Sequence, residues 1–355
     1  MFKSFKPVSF FLVISLAIVS MSCSKSVTLT RLTPAPINVP SSVQTIVIVD
    51  RTKPQNEMVN VIEGLITGEM PFEVRNSIDA TLATLQQQLN TSPRYQIKRA
   101  NQRLTGGMFG QVFPQPLDWF TIERLCEQYQ ADAVLALENF NSDFITTEKE
   151  AIIKKTVGEG KDAQTVEVKG LRLEGVANVS AGFRLYDPQN KTIVDQQRFQ
   201  KTNTWTAEAE TKTQALAMLI AKADATRIVG ELAGSGYAYK IAPMFVSISR
   251  DYFRKSKTQP ALENGNRFAE VGKWEEAIQT WEEGIVGADY KTSAKLLYNI
   301  AVGYEVLGSL HMAHDYASQA YTQYGLKKGR NYAQMLSAEI RNQELLENQM
   351  RVESK

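Results

Sequence analysis

The chain has 355 residues, 43% of them hydrophobic and 22% charged. That is enough apolar material for more than one buried core and too much for wholesale disorder. With 40 basic residues against 38 acidic ones the net charge is +2, and with no Lys/Arg cluster of the kind a nucleic-acid surface needs, nucleic acid is not expected as a partner. Two cysteines and two histidines exclude a His-rich metal site, and no cofactor is expected.

The amino terminus reads as an export signal. Lys3 and Lys6 are followed by the apolar run Val8 to Val19, then by Ser20, Met21, Ser22 and Cys23. This is the charged, apolar and small-residue order of a secretory signal. The run is about a dozen residues, whereas a spanning helix needs roughly 20. With cysteine at the cut site, residues 1–22 resemble a bacterial lipoprotein signal. The resemblance implies that Cys23 carries the lipid and becomes the first mature residue. More than one acyl chain is needed for stable anchoring, and a triacylated terminus meets that need. Ser24, Lys25 and Ser26 follow without an aspartate, which resembles outer-membrane sorting and implies a protein facing the periplasm. Residues 24–42, with Pro34, Pro36 and Pro40, read as an extended tether.

An α/β domain is expected over residues 43–235. Val43 to Val49 is a β-branched run suited to a strand covered on both faces. Val74, Ile78, Leu82, Leu85 and Leu89 mark one helical face, and Tyr95 and Ile97 alternate like a strand. Gly106, Gly107 and Gly110 lie in a loop that runs into Pro114 and Pro116 with no Lys-Ser/Thr pair, so a turn is expected rather than a phosphate cradle. Asp118 is placed to cap the next helix, with Trp119, Ile122, Leu125, Cys126 and Tyr129 inward. Cys126 there reads as a small buried hydrophobe. Glu123 and Glu127, one turn apart, lack any context that would make them an acid/base pair and are expected on the exposed face.

Ala131 to Leu137 reads as a buried strand. Phe144–Val157 and Thr165–Tyr186 form a hairpin, Thr192–Trp205 another strand, and Thr213–Leu232 a helix. Residues 236–257 are expected to form a linking helix, broken at Pro243 and resuming over Phe245–Phe253. The junction Tyr129-Gln130-Ala131-Asp132-Ala133-Val134-Leu135 and the strand end Phe183-Arg184-Leu185-Tyr186-Asp187 are similar to the periplasmic α/β domain of curli-secretion-channel lipoproteins and of the TolB amino-terminal domain. That resemblance implies a mixed sheet with helices and brings no catalytic residue. Lys154 and Lys155 put a charge on each face of the hairpin, so a membrane-spanning barrel is not expected from it.

Residues 258–355 read as an all-α helical-repeat domain. Gly265 and Ala301, Phe268 and Tyr304, Gly272 and Gly308, Trp274 and Leu310, and Ala277 and Ala313 each stand 36 apart. The pattern resembles two tetratricopeptide repeats, whose period is about 34. Small residues let antiparallel helices approach, Phe268, Trp281 and Tyr304 fill the space between them, and Gly272 and Gly308 end the first helix of each pair. Asn331–Met350 is expected to cap the array, with Tyr332, Met335, Leu336, Ile340 and Leu345 inward. His311 and His314 are three apart without further ligands.

In the repeat family the first helix of each pair lines a concave groove. That resemblance maps partner contacts onto Asn266, Glu270, Lys295, Tyr298 and Glu305. The expected function is therefore a membrane-anchored, non-catalytic interaction module for a protein or peptide of the cell envelope. The alternative is a self-assembling, homo-oligomeric component of a secretion or envelope-maintenance complex. No Ser-His-Asp, Cys-His or metal spacing points to an enzyme.

Overall fold

A computed structural model describes residues 24–53, 71–106, 113–158 and 163–351. Seven strands and nine helices occur among them. They form two compact units: Thr30–Val246 with the chain from Arg341 onward, and Ser247–Ile340 with the described residues up to Leu29.

The first unit is built on a five-stranded mixed sheet in the order β3-β2-β4-β5-β6. Strand β2 (Thr45–Lys53) lies parallel to β3 (Gln96–Thr105) and to the start of β4 (Ala133–Val157). β5 (Gln164–Asp187) pairs antiparallel with β4, and β6 (Thr192–Ala209) with β5. The central position of β2 explains its unbroken apolar run, since Ile46 to Val49 are buried from both sides. Helices α1 (Pro71–Thr91) and α4 (Lys222–Ile241) cover one face, through Ile78, Leu82, Leu85 and Leu89 on α1 and Val229, Ala233 and Tyr237 on α4. They touch closely at Gly234, where a Cβ would stand 2.3 Å from the Thr81 carbonyl oxygen. Tyr237 stacks on Phe183 with ring centres 4.4 Å apart. Helix α2 (Trp119–Tyr129) covers the other face, with Asp118 accepting from the Thr121 amide at 2.8 Å as its cap. Burial pushes the Cys126 thiol up to about 12, with Asp132 and Asp187 adding to the shift. Gly107 and Gly110 lie outside the described residues.

Several sequence expectations need correction. Ala131–Leu137 and Phe144–Val157 are not separate strands, because β4 runs through both with one irregularity at Leu137/Asn139. Thr213–Leu232 is not one helix: α3 (Lys212–Met218) ends where Leu219 turns extended, and α4 continues to Ile241. Residues 236–257 do not form a linking helix. Pro243 cannot donate to a helix and disfavours helical backbone before it, and Met244–Phe253 continues as strand β7 with alternating burial. Ser24–Thr33, read as part of a tether, is strand β1, which forms a two-stranded sheet with β7.

The second unit contains helices α5 (Ala261–Glu270), α6 (Trp274–Glu283), α7 (Tyr290–Val306) and α8 (Leu310–Thr322), and the first part of α9 (Lys327–Met350). Gly272 and Gly308 adopt φ of +80° and +81° at equivalent turns. Each turn closes alike, with Lys273 donating to the Phe268 carbonyl and Ser309 to that of Tyr304. Trp281 is fully buried, whereas Phe268 is half-exposed, contrary to the sequence expectation. Of the apolar residues expected inward on α9, Tyr332 and Leu336 are buried but Leu345 is exposed.

Asp289 caps α7 by accepting from the amides of Lys291 and Thr292. Hydrogen bonds from the Thr258 and Thr292 hydroxyls hold its carboxyl down to about 2. A carboxyl lowered in the fold stabilises above its ordinary value of 3.8 and loses that contribution as pH falls through the lowered one. Side-chain NMR titration should therefore place Asp289 near 2. The first turn of α7 should loosen between about pH 4 and pH 2, and Asp289→Asn should keep its cap there.

Candidate functional site

In the helical unit, side chains of α5, α7 and α9 line one face. The end of β7 lies along it as an extended chain. Asn299 grips Phe253 by both main-chain groups: Oδ1 accepts from the Phe253 amide at 2.7 Å, and Nδ2 donates to its carbonyl at 2.8 Å. Asn266 Nδ2 donates to the carbonyls of Phe253, at 3.1 Å, and Arg254, at 2.5 Å. The Asn266 Oδ1 is buried with no partner among the described residues.

Side chains complete the grip. Glu305, its carboxylate fully buried, accepts a two-point contact from Arg250, Nε to Oε2 at 2.7 Å and Nη2 to Oε1 at 3.1 Å. Tyr332 donates its hydroxyl to Glu305 Oε2 at 2.6 Å. Burial, and then the Glu305 carboxylate, push the Tyr332 hydroxyl well above its ordinary range, so it stays a donor. The Phe253 ring meets Tyr298 edge-on at 5.4 Å, and the ammonium groups of Lys295 and Lys328 stand over it at 5.5 and 5.3 Å. Tyr252 packs on Trp274 and Trp281.

All five residues mapped to the groove from the sequence thus meet the chain's own strands. Asn266, Lys295, Tyr298 and Glu305 surround β7, and Glu270 pairs with Lys25 of β1. Asn299, Lys328 and Tyr332 were missed. Asn299 carried a readable signal as the one amide inside the apolar run Leu296 to Val302.

Other candidates hold no comparable arrangement. Glu123 and Glu127 are exposed, with Glu123 paired to Lys191. His314 meets only Asp315 among the interactions described. No group of metal-ligand type forms among the described residues. In the sheet unit, the buried Glu138 is saturated: Arg51 donates to Oε2 at 2.6 Å, and Arg184 and the Tyr186 hydroxyl donate to Oε1 at 3.2 and 2.5 Å.

A model of a domain of unknown function, DUF8603, matches residues 43–253, and a second such model, DUF6340, matches residues 263–343. The first match ends at Phe253, the residue that Asn299 grips. No curated protein matches the sequence. Among solved structures, a PelC dodecamer from Paraburkholderia phytofirmans is 11% identical over 60% of this chain and 98% of its own, with a TM-score of 0.22. TolB from Acinetobacter baumannii is 11% identical over 60% of this chain and 31% of its own, with a TM-score of 0.20. At these scores the superpositions carry no argument about this chain.

Proposed function

We propose that this chain, which belongs to the DUF8603 family, is a lipid-anchored protein of the cell envelope that acts without catalysis, as an interaction module. Its tetratricopeptide-like repeats hold an extended peptide by the main chain. The observation that carries this reading is the double grip of Asn299, with Asn266 beside it, on the backbone of Phe253 and Arg254. A groove that binds main-chain groups accepts many sequences, and its side-chain contacts narrow the choice. Glu305 selects an arginine, and the Tyr298, Lys295 and Lys328 cluster selects an aromatic ring three residues later. The peptide class is therefore Arg-x-x-aromatic, the pattern of Arg250 to Phe253.

In this chain the occupant is its own strand β7. A partner must compete with it, so its apparent affinity falls by the fraction of time the groove stands empty. The signal sequence and Cys23 support the envelope location, on the outer membrane facing the periplasm. The saturated Glu138 and the raised Cys126 thiol support the non-catalytic reading.

The test is crosslinking in intact cells, comparing the full chain, its Phe253→Ala variant and a form ending at Lys257, with mass spectrometry of what is captured. Capture of other envelope proteins only with the repeats present, and increased by Phe253→Ala, supports the proposal. If all three forms capture only copies of themselves, self-assembly replaces it.

A further inference from the structure

We infer that the turns closing α5 and α7 rest in the headgroup layer of the membrane that holds Cys23, so the repeat unit lies on the bilayer. The inference rests on the proposed lipid attachment at Cys23. It begins from β1, which starts at Ser24, the residue directly after Cys23. Lys25 is ion-paired with Glu270, the last residue of α5, and Val27 packs against the helical core. One Cα step of 3.8 Å and two extended side chains therefore bring Ser24 within roughly 15–20 Å of the α5 turn. A floating tether would decouple the two, but these residues are a strand fixed to the helical unit.

The surface at that end suits an interface. Val271, at the tip of the α5 turn, is 71% exposed, and Leu307, 36 residues on in the matching turn, is 39% exposed. Phe268 is half-exposed beside Val271, and two exposed ion pairs, Arg267 with Glu263 and Lys273 with Glu276, lie on either side of the turn. Apolar tips bordered by ion-paired side chains suit a phospholipid surface, the tips entering the acyl boundary while the paired charges stay among the headgroups. The opposite end of α6 provides an internal comparison, since Val286 is 85% exposed and roughly 15–20 Å away along the helix.

Spin labels placed by Val271→Cys, Leu307→Cys and Val286→Cys in the full lipidated protein test this on phosphatidylethanolamine/phosphatidylglycerol vesicles. Cys126 is buried and Cys23 acylated, so the added cysteine takes the label. The ratio of oxygen to nickel-chelate accessibility should rise several-fold at positions 271 and 307, relative to the unlipidated Cys23→Ser protein in solution, and stay unchanged at 286. An acylated protein that sediments with vesicles while position 271 remains as water-accessible as 286 overturns the inference and leaves the lipid reading intact. Spin–spin broadening at 271 overturns it in favour of contact with a second copy. A chain that carries no acyl group and stays in the supernatant overturns the lipid reading, and the inference with it.

Discussion

Glu138→Ala is expected to destabilise the sheet unit by about 3–5 kcal/mol, the cost of leaving a buried ion pair without one partner. Glu138 is completely buried on β4, and Arg184 of β5 is nearly so. With the carboxylate gone, Arg51 loses its 2.6 Å contact and the Tyr186 hydroxyl its acceptor. Arg184 keeps only Gln196 Oε1, the Pro114 carbonyl and the Tyr186 hydroxyl, none of them charged. Urea unfolding followed by a probe in this unit should show the loss as a lower midpoint at similar slope. Replacing Glu138, Arg184 and Arg51 together by methionine should cost less than Glu138→Ala alone, because no unpaired buried charge of the cluster then remains. If the single variant unfolds at the wild-type midpoint, the cluster contributes nothing to stability.

Trp281→Ala carries the second large effect, about 3–5 kcal/mol in the helical unit. The indole is fully buried between α5 and α7. Gly265 leaves room for it, since a Cβ there would stand 2.2 Å from Nε1. The same ring backs Tyr252 of β7, with centres 6.3 Å apart. Alanine therefore opens a cavity and removes support beneath the strand in the groove. Calorimetry should show an earlier transition for the helical unit, while the sheet unit, with none of its contacts changed, keeps its own. An unchanged first transition would contradict the packing described.

Much of this was legible in the sequence. A β-branched run located β2, a short apolar run located the start of β4, and steps of three and four located α1. What failed to show were features whose cause lies far away along the chain. β1 carries prolines just beyond it and reads as tether; its pairing partner is distant, with Thr33 donating to the Met244 carbonyl across 211 residues. β7 reads as the continuation of a helix, because its alternation is short and follows a helical stretch. Glu138 sits unannounced in an apolar strand, since its arginines come from β2 and β5. Tyr332 joins the groove only because α9 packs back onto α7.

The most direct test of the account is amide hydrogen exchange at Phe253 in the full chain and in its Asn299→Ala variant. Asn299 holds both main-chain groups of that residue, and leaving a buried group unpaired costs about 1–3 kcal/mol. The account predicts that the Phe253 amide is strongly protected in the wild-type protein and exchanges roughly ten- to hundredfold faster in the variant. Exchange at the free-chain rate in both proteins would mean that the groove does not grip its own strand, and the proposed mode of peptide binding would fall with it.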